Sequence, residues 1–255
     1  MRYASLGSGS KGNATLVEHA GRSLLIDCGF SRKGILERMT AASADWSILD
    51  AVLVTHEHTD HSRGALAVCE WLDRPLYSSF GTARKMGWLD HELWRPLHGD
   101  QLLELETLRV RPVTVPHDAH EPLQFVVASH TEERRLGVLS DLGSITPHIL
   151  DAYRECHALQ LEANHDPVML RQGPYPPALQ ARVAGNYGHL SNGQCAQLLE
   201  ALLWSGLQQV TAGHISEKNN SPELVRRELS RVLGCDADSV QLLGQDGISG
   251  WFEFR

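Results

Sequence analysis

A short run of metal-binding residue types directly follows one of the chain's apolar segments. Residues 51–54, Ala-Val-Leu-Val, predict a buried strand, and His56-Glu57-His58-Thr59-Asp60-His61 comes next. Zinc accepts nitrogen and carboxylate ligands, and a tight loop lets side chains one to three residues apart face a common point. The pattern H-x-H-x-D-H arises by chance in a chain of this length roughly a few times per thousand. We therefore predict a metal-binding loop at a strand end, in preference to a solvated histidine-rich loop.

Three further candidate ligands occupy the same kind of position as this loop. His117, Asp141 and His214 each follow an apolar run that predicts a strand. A single histidine at a strand end is more often a hydrogen-bonded structural residue. The same placement recurring three times, once with a carboxylate, favours a shared site instead.

Short runs rich in valine, isoleucine and leucine recur along the chain and alternate with helical patterns. Ser191 and Gln194 fit a capping box that opens a helix running up to Gly206. Ser221 and Pro222 open a second helix, which we expect to run to residue 234. The first half of the chain looks hairpin-like, without βαβ units. We therefore predict an α/β sandwich in one domain, residues 1–255, in preference to a Rossmann sheet.

Composition limits the class of protein further. The chain is 42% hydrophobic and 21% charged, and it has no run long enough to span a membrane and no signal-peptide pattern, so we expect a cytoplasmic protein without membrane association. Its five cysteines lack a paired spacing, which favours reduced thiols over disulfides or thiolate zinc sites. A net charge of −8 argues against a broad basic face for nucleic acid but leaves a local groove open.

The order of the candidate ligands resembles that of the metallo-β-lactamase superfamily. The resemblance implies an αββα four-layer sandwich and a site for two divalent metal ions, Zn or Mn. It also implies a role for Asp27, which matches the family's early acidic position and would orient the loop from behind the ligands. The implied ligands are His56, His58 and His117 for one metal, Asp60, His61 and His214 for the other, and Asp141 as the bridge.

Four polar segments carry a closer resemblance. They are residues 8–13, 162–166, 188–192 and 214–220. These segments make the chain similar to the bacterial YycJ or WalJ group, which is related to RNase Z and RNase J type nucleases. His120 departs from the pattern, because a small or apolar residue is expected there.

The resemblance also implies a mechanism and a set of substrate contacts. Two cations sharing an oxygen would supply a bridging hydroxide as nucleophile and clamp the attacked phosphate, with Asp60, His165 and His189 as catalytic residues. The role of His165 stays open between donating a proton to the leaving oxygen and hydrogen-bonding Asp166. Ser191 could contact substrate or act only as a helix cap. The implied substrate-binding residues are Ser10, Asn13, His165, His189, Ser191, Asn192 and Lys218.

We therefore expect a metal-dependent phosphodiesterase acting on nucleic acid, a 5′-to-3′ exonuclease on double-stranded DNA, with no obligate protein partner. The polarity and the preference for DNA come from the resemblance alone. An alternative is a hydrolase of small esters, thioesters, lactams or cyclic phosphodiesters with the same fold. A di-iron redox protein is disfavoured because His58 stands where such proteins typically have glutamate. A metal-stabilised scaffold is disfavoured because seven nitrogen and oxygen donors for two metals leave room for water.

Overall fold

Two seven-stranded sheets make up the centre of the protein. The computed structural model describes all 255 residues. The order in the first sheet is β14-β1-β2-β3-β4-β5-β6. Its strands are β1 (Arg2–Gly7), β2 (Ala14–His19), β3 (Arg22–Ile26), β4 (Leu49–Leu53), β5 (Leu76–Ser78), β6 (Trp94–Pro96) and β14 (Phe252–Glu253).

The second sheet is built from the middle and later parts of the chain. Its order is β13-β12-β11-β10-β9-β8-β7. The neighbours from β10 to β13 are parallel, and those from β7 to β10 are antiparallel. Its strands are β7 (Leu103–Glu104), β8 (Leu108–Thr114), β9 (Leu123–Ser129), β10 (Arg135–Leu139), β11 (Ala158–Glu162), β12 (Gln209–Gly213) and β13 (Gln241–Leu242).

The chain has nine α-helices. None of them is long and apolar enough to cross a bilayer, and all five cysteines are unpaired thiols. The helices are α1 (Arg32–Ala41), α2 (Thr59–Ser62), α3 (Ala65–Leu72), α4 (Phe80–Met86), α5 (Pro147–Tyr153), α6 (Pro167–Gln172), α7 (Pro177–Val183), α8 (Asn192–Leu202) and α9 (Pro222–Leu233). Of these, α1, α3 and α4 pack on the outer face of the first sheet and α5, α8 and α9 on that of the second.

The buried side chains fall into three layers, which confirms the predicted αββα sandwich. Leu24 and Phe125 meet between the two sheets. Leu25, one residue along β3, faces the other way and packs with Ile35 of α1 and Val68 of α3. Leu159 of β11 lies in the third layer, under α5, α8 and α9. Strands buried on both faces read as continuous apolar runs, which is why the sequence pattern located them without giving their order.

The first sheet differs from the expected arrangement of hairpins. Strands β1 to β3 are antiparallel, as expected, but β3 to β6 are parallel and joined through helices. The hairpin-like prediction was therefore wrong for the second part of this sheet. Helix α1, which makes the first crossover, buries only Ile35 and Met39, so its apolar periodicity is weak.

The two predicted helix starts are confirmed. Ser191 accepts a hydrogen bond from the Gln194 backbone N–H at 3.3 Å, and the Gln194 side chain accepts one from the Ser191 N–H at 2.9 Å. Helix α8 ends at Leu202, earlier than the predicted Gly206. Helix α9 runs from Pro222 to Leu233 and is capped by Gly234, where the sequence predicted its end.

A buried hydrogen bond joins the two sheets and generates a stability prediction. The Tyr3 hydroxyl lies 3.1 Å from Thr211 Oγ1, and both residues are fully buried. Tyr3→Phe leaves the Thr211 hydroxyl without this partner, so we expect a loss of about 1–3 kcal/mol in the free energy of unfolding, measured by urea denaturation. The double variant Tyr3→Phe/Thr211→Val should lose less than the sum of the single variants. Tyr187→Phe, at a 64% exposed side chain, is the control. Equal stability of Tyr3→Phe and this control would contradict the prediction.

Candidate metal centre

The site lies where the carboxyl ends of strands from both sheets meet. Histidine and carboxylate side chains lie at the ends of strands β3 and β4 of the first sheet and β10 to β12 of the second. The sequence places each one at, or within a few residues of, its strand end. They are Asp27 after β3, His56 to His61 after β4, Asp141 after β10, Glu162 at the end of β11 and His214 after β12.

The backbone turns sharply at three of these strand ends. Asp27, Asp141 and His214 have φ values of 61°, 48° and 51°, in the left-handed region that residues other than glycine rarely adopt. Such conformations cost free energy and persist only where the surrounding contacts hold them. Here the turn at each strand end directs a charged or imidazole side chain into the same cluster.

The histidine-rich loop is clamped against the chain that follows β3. The Cys28 N–H donates to the His61 carbonyl at 2.8 Å, and the Asn13 N–H donates to the Asp60 carbonyl at 2.7 Å. Gly29 lies so close that a Cβ there would sit 1.8 Å from the Asp60 oxygen. Only glycine permits this approach, so the sequence Asp27-Cys28-Gly29 is part of what fixes the loop.

Three ring nitrogens converge at one side of the cluster. His56 Nε2 lies 2.9 Å from His58 Nδ1, and His117 Nε2 lies 3.3 Å from the same atom. Two of these rings come from the loop after β4 and the third from the segment after β8. Three facing imidazole nitrogens form a donor set typical of a zinc site.

A second set of donor atoms lies beside the first. His61 Nε2 and His214 Nε2 lie 3.4 Å and 3.6 Å from Asp60 Oδ2. The Asp141 carboxylate stands between the two sets, with Oδ2 2.9 Å from His61 Nε2 and Oδ1 3.9 Å from His117 Nε2. The seven side chains predicted from the sequence as ligands are thus brought together, six of them around the carboxylate of the seventh, Asp141.

The outer nitrogens of three of these rings are held by carboxylate or carbonyl oxygens. His61 donates from Nδ1 to Asp27 at 2.7 Å, and His117 donates from Nδ1 to the Gly188 carbonyl at 3.1 Å. His214 donates from Nδ1 to a carboxylate oxygen at 3.0 Å. A hydrogen bond at one ring nitrogen leaves the lone pair of the other available to a metal. Nε2 is therefore the nitrogen that each of these three rings offers to a metal.

Thr55 completes this supporting layer. Its hydroxyl donates to the Asp27 carboxylate at 2.9 Å and lies 3.0 Å from His56 Nδ1. Because its single proton is committed to Asp27, the Thr55 oxygen accepts a hydrogen bond from His56 Nδ1. His56 Nε2 is then also left with its lone pair facing inward.

Two atoms of the cluster lack a hydrogen-bond partner although they are buried. They are Asp141 Oδ2 and His214 Nε2. Asp141 Oδ2 is close to His61 Nε2 but out of line with its N–H, so the short distance does not make a hydrogen bond. An unsatisfied buried polar atom costs free energy, and a bound cation would satisfy both. The residues present therefore fit a divalent metal.

The charges in the cluster balance only if its histidines are protonated or a cation is bound. Burial disfavours the charged form of His61, but Asp141 and Asp27 raise its pKa well above the usual range. Burial likewise opposes charge on His214, yet Asp141, the nearby Asp60 carboxylate and Glu162, which also accepts a hydrogen bond from the ring, raise its pKa to about 10. Without metal, these carboxylates favour the positively charged, doubly protonated form of both rings.

Glu162 is a site residue that the analysis of the sequence did not single out. Its buried carboxylate accepts hydrogen bonds from His189 Nδ1 at 2.7 Å and from His214 Nδ1 at 3.0 Å. Burial raises its pKa, but the charge of His189 and hydrogen bonds from both histidines outweigh this and lower it to about 2. Glu162 thus orients two imidazoles at once. Its position at the end of β11 was the available signal, since the other donors are placed in the same way.

An open cavity of about 370 Å³ lies beside the donor atoms. Two of the predicted substrate-binding residues, Ser10 and His189, line it, together with Asp60, Asp141 and His214. A second part of the lining, which the sequence did not predict, consists of Tyr175, Leu179, Val183 and Ile215.

The other predicted substrate-binding residues lie outside this lining. Asn13 lies beside the donor atoms, with Nδ2 3.1 Å from His61 Nε2 and 3.3 Å from Asp60 Oδ2. Ser191 caps α8, and Asn192 forms a buried amide pair with Asn220 at 2.8 Å. The His165 ring is buried, with no partner for Nδ1, and burial lowers its pKa to about 4. Lys218 lies against an aromatic ring of the cavity wall.

The unexpected His120 has a structural explanation. Its Nδ1 lies 2.6 Å from Glu57 Oε1, and its backbone N–H donates to the same oxygen at 3.0 Å. Glu57 belongs to the H-x-H-x-D-H motif, so this pair ties the segment carrying His117 to the histidine-rich loop.

The raised pKa values predict proton release on metal binding. His61 and His214 hold protons at pH 7.5, and a metal must displace them, so we expect zinc loading to release about two protons. Titration calorimetry in two buffers of different ionisation enthalpy measures this number. Release should fall as pH rises through about 10, where His214 loses its proton without metal. His98→Gln, at an exposed histidine, should behave as the unmodified protein does. Zinc binding without proton release at pH 7.5 would contradict the prediction.

Comparisons with known proteins agree on one family. Residues 22–215 match the family described as "Beta-lactamase superfamily domain". Over 241 residues the chain is 30% identical to "Exodeoxyribonuclease YycJ" of Bacillus anthracis, covering 91% of this chain and 89% of the relative. It is 28% identical to "Exodeoxyribonuclease WalJ" of Streptococcus pneumoniae, with 91% and 88% covered.

Solved structures agree on the fold. The metallo-β-lactamase fold protein YhfI from Bacillus subtilis superposes with a TM-score of 0.71 at 15% identity, covering 97% of this chain and 98% of that protein. Zn²⁺-bound PqqB from Methylobacterium extorquens gives 0.68 at 17% identity, with 98% and 99% covered. This fold implies divalent metal binding. The chain belongs to the metallo-β-lactamase superfamily and, within it, to the YycJ and WalJ family, and it is a hydrolase.

Proposed function

We propose that this protein is a metal-dependent phosphodiesterase acting on nucleic acid, and specifically a 5′-to-3′ exonuclease on double-stranded DNA. The observation that carries the proposal is the set of inward-facing nitrogen and oxygen atoms around Asp141, two of them buried without a partner, beside an open cavity. The exodeoxyribonuclease relatives, which align over nine-tenths of the chain, support the choice of DNA.

The donor geometry supports a site for two cations, Zn or Mn. We assign the two sets around Asp141 to one cation each, with Asp141 contacting both. When bound, two divalent cations polarise a phosphate and make a water acidic enough to attack it. They would also offset the acidity of the cavity, so that a polyanion can enter despite the net charge of −8. The assigned ligands are His56, His58 and His117 for one cation and Asp60, His61 and His214 for the other.

We assign His189 the transfer of a proton to the leaving oxygen. Its Nδ1 is committed to Glu162, so Nε2 is the nitrogen left to face substrate in the cavity that His189 lines. Although burial opposes charge on His189, the Glu162 and Asp141 carboxylates raise its pKa, which keeps a proton on the ring. His165 is the weaker choice, since its ring does not line the cavity and burial lowers its pKa.

Hydrolysis of a small ester, thioester or cyclic phosphodiester is the second candidate function. It is favoured by the modest cavity volume, about 370 Å³, and by the overall negative charge of the chain. Both activities would use the same metal-binding atoms, so only a comparison of substrates distinguishes them.

One purification tests the proposed function. Metal content is measured by mass spectrometry, and DNA and RNA duplexes and single strands labelled at either end are then incubated with Mn²⁺ or Zn²⁺. We expect two metals per chain and stepwise release of nucleotides from the 5′ end of duplex DNA. Nitrocefin, a glutathione thioester and bis-p-nitrophenyl phosphate serve as small substrates. Rapid turnover of the first or second of these without nucleic acid cleavage would contradict the proposal.

Removal of one ligand should abolish activity together with metal binding. Asp60→Ala removes the carboxylate that we assign to the same cation as His61 and His214. We therefore expect at least about a 10³-fold loss of DNA cleavage and fewer bound metals per chain. Asp90→Ala, at an exposed aspartate outside the cluster, is the matched control. Retention of both metals and full activity in Asp60→Ala would remove this residue from the site.

Substrates with different leaving groups show whether His189 donates a proton or has only a structural role. His189→Gln should slow DNA cleavage about 10²- to 10⁴-fold, because a nucleotide alkoxide needs a proton to leave. Hydrolysis of bis-p-nitrophenyl phosphate should fall far less, because nitrophenolate leaves without one. His98→Gln is the control. Equal losses on both substrates would contradict the assigned role.

A further inference from the structure

The cavity beside the cluster has two unlike parts. Metal-binding residue types line one part. Tyr175, Leu179, Val183 and Ile215 form an apolar second part, contributed largely by α7 and the turn before it. A phosphate requires only the first part. A volume of about 370 Å³ lies near the lower end of the ~300–1,000 Å³ of small-ligand sites, which suits one nucleotide and excludes a length of duplex.

Tyr175 is held in a rigid backbone. Pro174, Pro176 and Pro177 surround it and restrict the chain on both sides. The Gln180 amide donates to the Tyr175 carbonyl at 2.9 Å, which ties the turn to α7. The side chain is half-buried and lines the cavity. An aromatic ring fixed before binding loses little conformational entropy when a flat group stacks on it.

A positive charge without an ion-pair partner lies over one face of this ring. Lys218 Nζ is 5.7 Å from the centre of the Tyr175 ring. Arg182, which also lines the cavity, is by contrast already paired with Asp118. An aromatic ring next to an unpaired cation is the arrangement with which proteins hold single-stranded nucleic acid, the ring on a base and the cation on the backbone.

We propose that Tyr175 stacks on the base of the 5′-terminal nucleotide while the phosphate that links this nucleotide to the next one lies at the metal cluster, and that Lys218 contacts a neighbouring phosphate. This rests on the proposed nuclease function and deepens it by naming the group that holds the nucleotide. The apolar neighbours Leu179 and Val183 offer no side-chain hydrogen bonds to a base edge. Recognition therefore uses the face of the base and tolerates all four bases.

The test compares two DNA duplexes that differ only in the base of the 5′-terminal nucleotide, which is intact in one and absent in the other. Stacking predicts that the unmodified protein prefers the intact end by about 5- to 100-fold in kcat/KM. In Tyr175→Leu the ratio should fall to about one, whereas Tyr175→Phe should retain it. Tyr187→Leu, at an exposed tyrosine outside the cavity, should also retain it.

Binding gives a readout that is independent of cleavage. An oligonucleotide ending in 2-aminopurine loses fluorescence when that base stacks on an aromatic ring. We expect quenching with the unmodified protein, Tyr175→Phe and Tyr187→Leu, and none with Tyr175→Leu at saturating protein. DNA cleavage with a preference for intact ends that survives in Tyr175→Leu would overturn the stacking proposal alone. Absence of both cleavage and quenching in the unmodified protein would overturn the proposed function and the stacking proposal together.

Discussion

The buried carboxylate of Asp141 is the group on which the rest of the site depends. It follows a strand of the second sheet, yet it lies 2.9 Å from His61, which the first sheet contributes. Its oxygen Oδ2 has no hydrogen-bond partner. A buried negative charge is costly unless positive charge surrounds it, and here His61, His189 and His214 lower the pKa of Asp141 despite its burial. The packing of the two sheets and the chemistry of the site are therefore coupled.

A second layer of residues determines what the donor atoms can do. Asp27, Thr55, Glu162 and the Gly188 carbonyl hold the outer ring nitrogens, so that the inner nitrogens are the ones available to a metal. Glu162 has a further consequence, since it links His214 of the cluster to His189 of the cavity. His214, which we assign to metal binding, and His189, which we assign to proton transfer, therefore share one carboxylate.

The sequence predicted the features that depend on local patterns. The histidine-rich loop, the strand ends and the caps at Ser191 and Ser221 are each encoded within a few residues, and the αββα class followed from them and from the family resemblance. Helix α1 was not anticipated because it buries only two side chains. Glu162 and Tyr175 acquire their roles from partners far along the chain, and the contact of His120 with Glu57 spans 63 residues. The periodicity of apolar residues within a helix or strand gives no information about contacts between residues so far apart in the chain.

Anomalous diffraction at the zinc and manganese absorption edges would locate each bound metal ion relative to the side chains of the cluster. We expect two peaks at roughly 2.0–2.2 Å from their nitrogen and oxygen donors, both in contact with Asp141. One peak should adjoin His56 Nε2, His58 Nδ1 and His117 Nε2, and the other Asp60, His61 Nε2 and His214 Nε2. Metal-loaded crystals with no peak between these side chains, or with the metal on an outer ring nitrogen, would contradict this assignment.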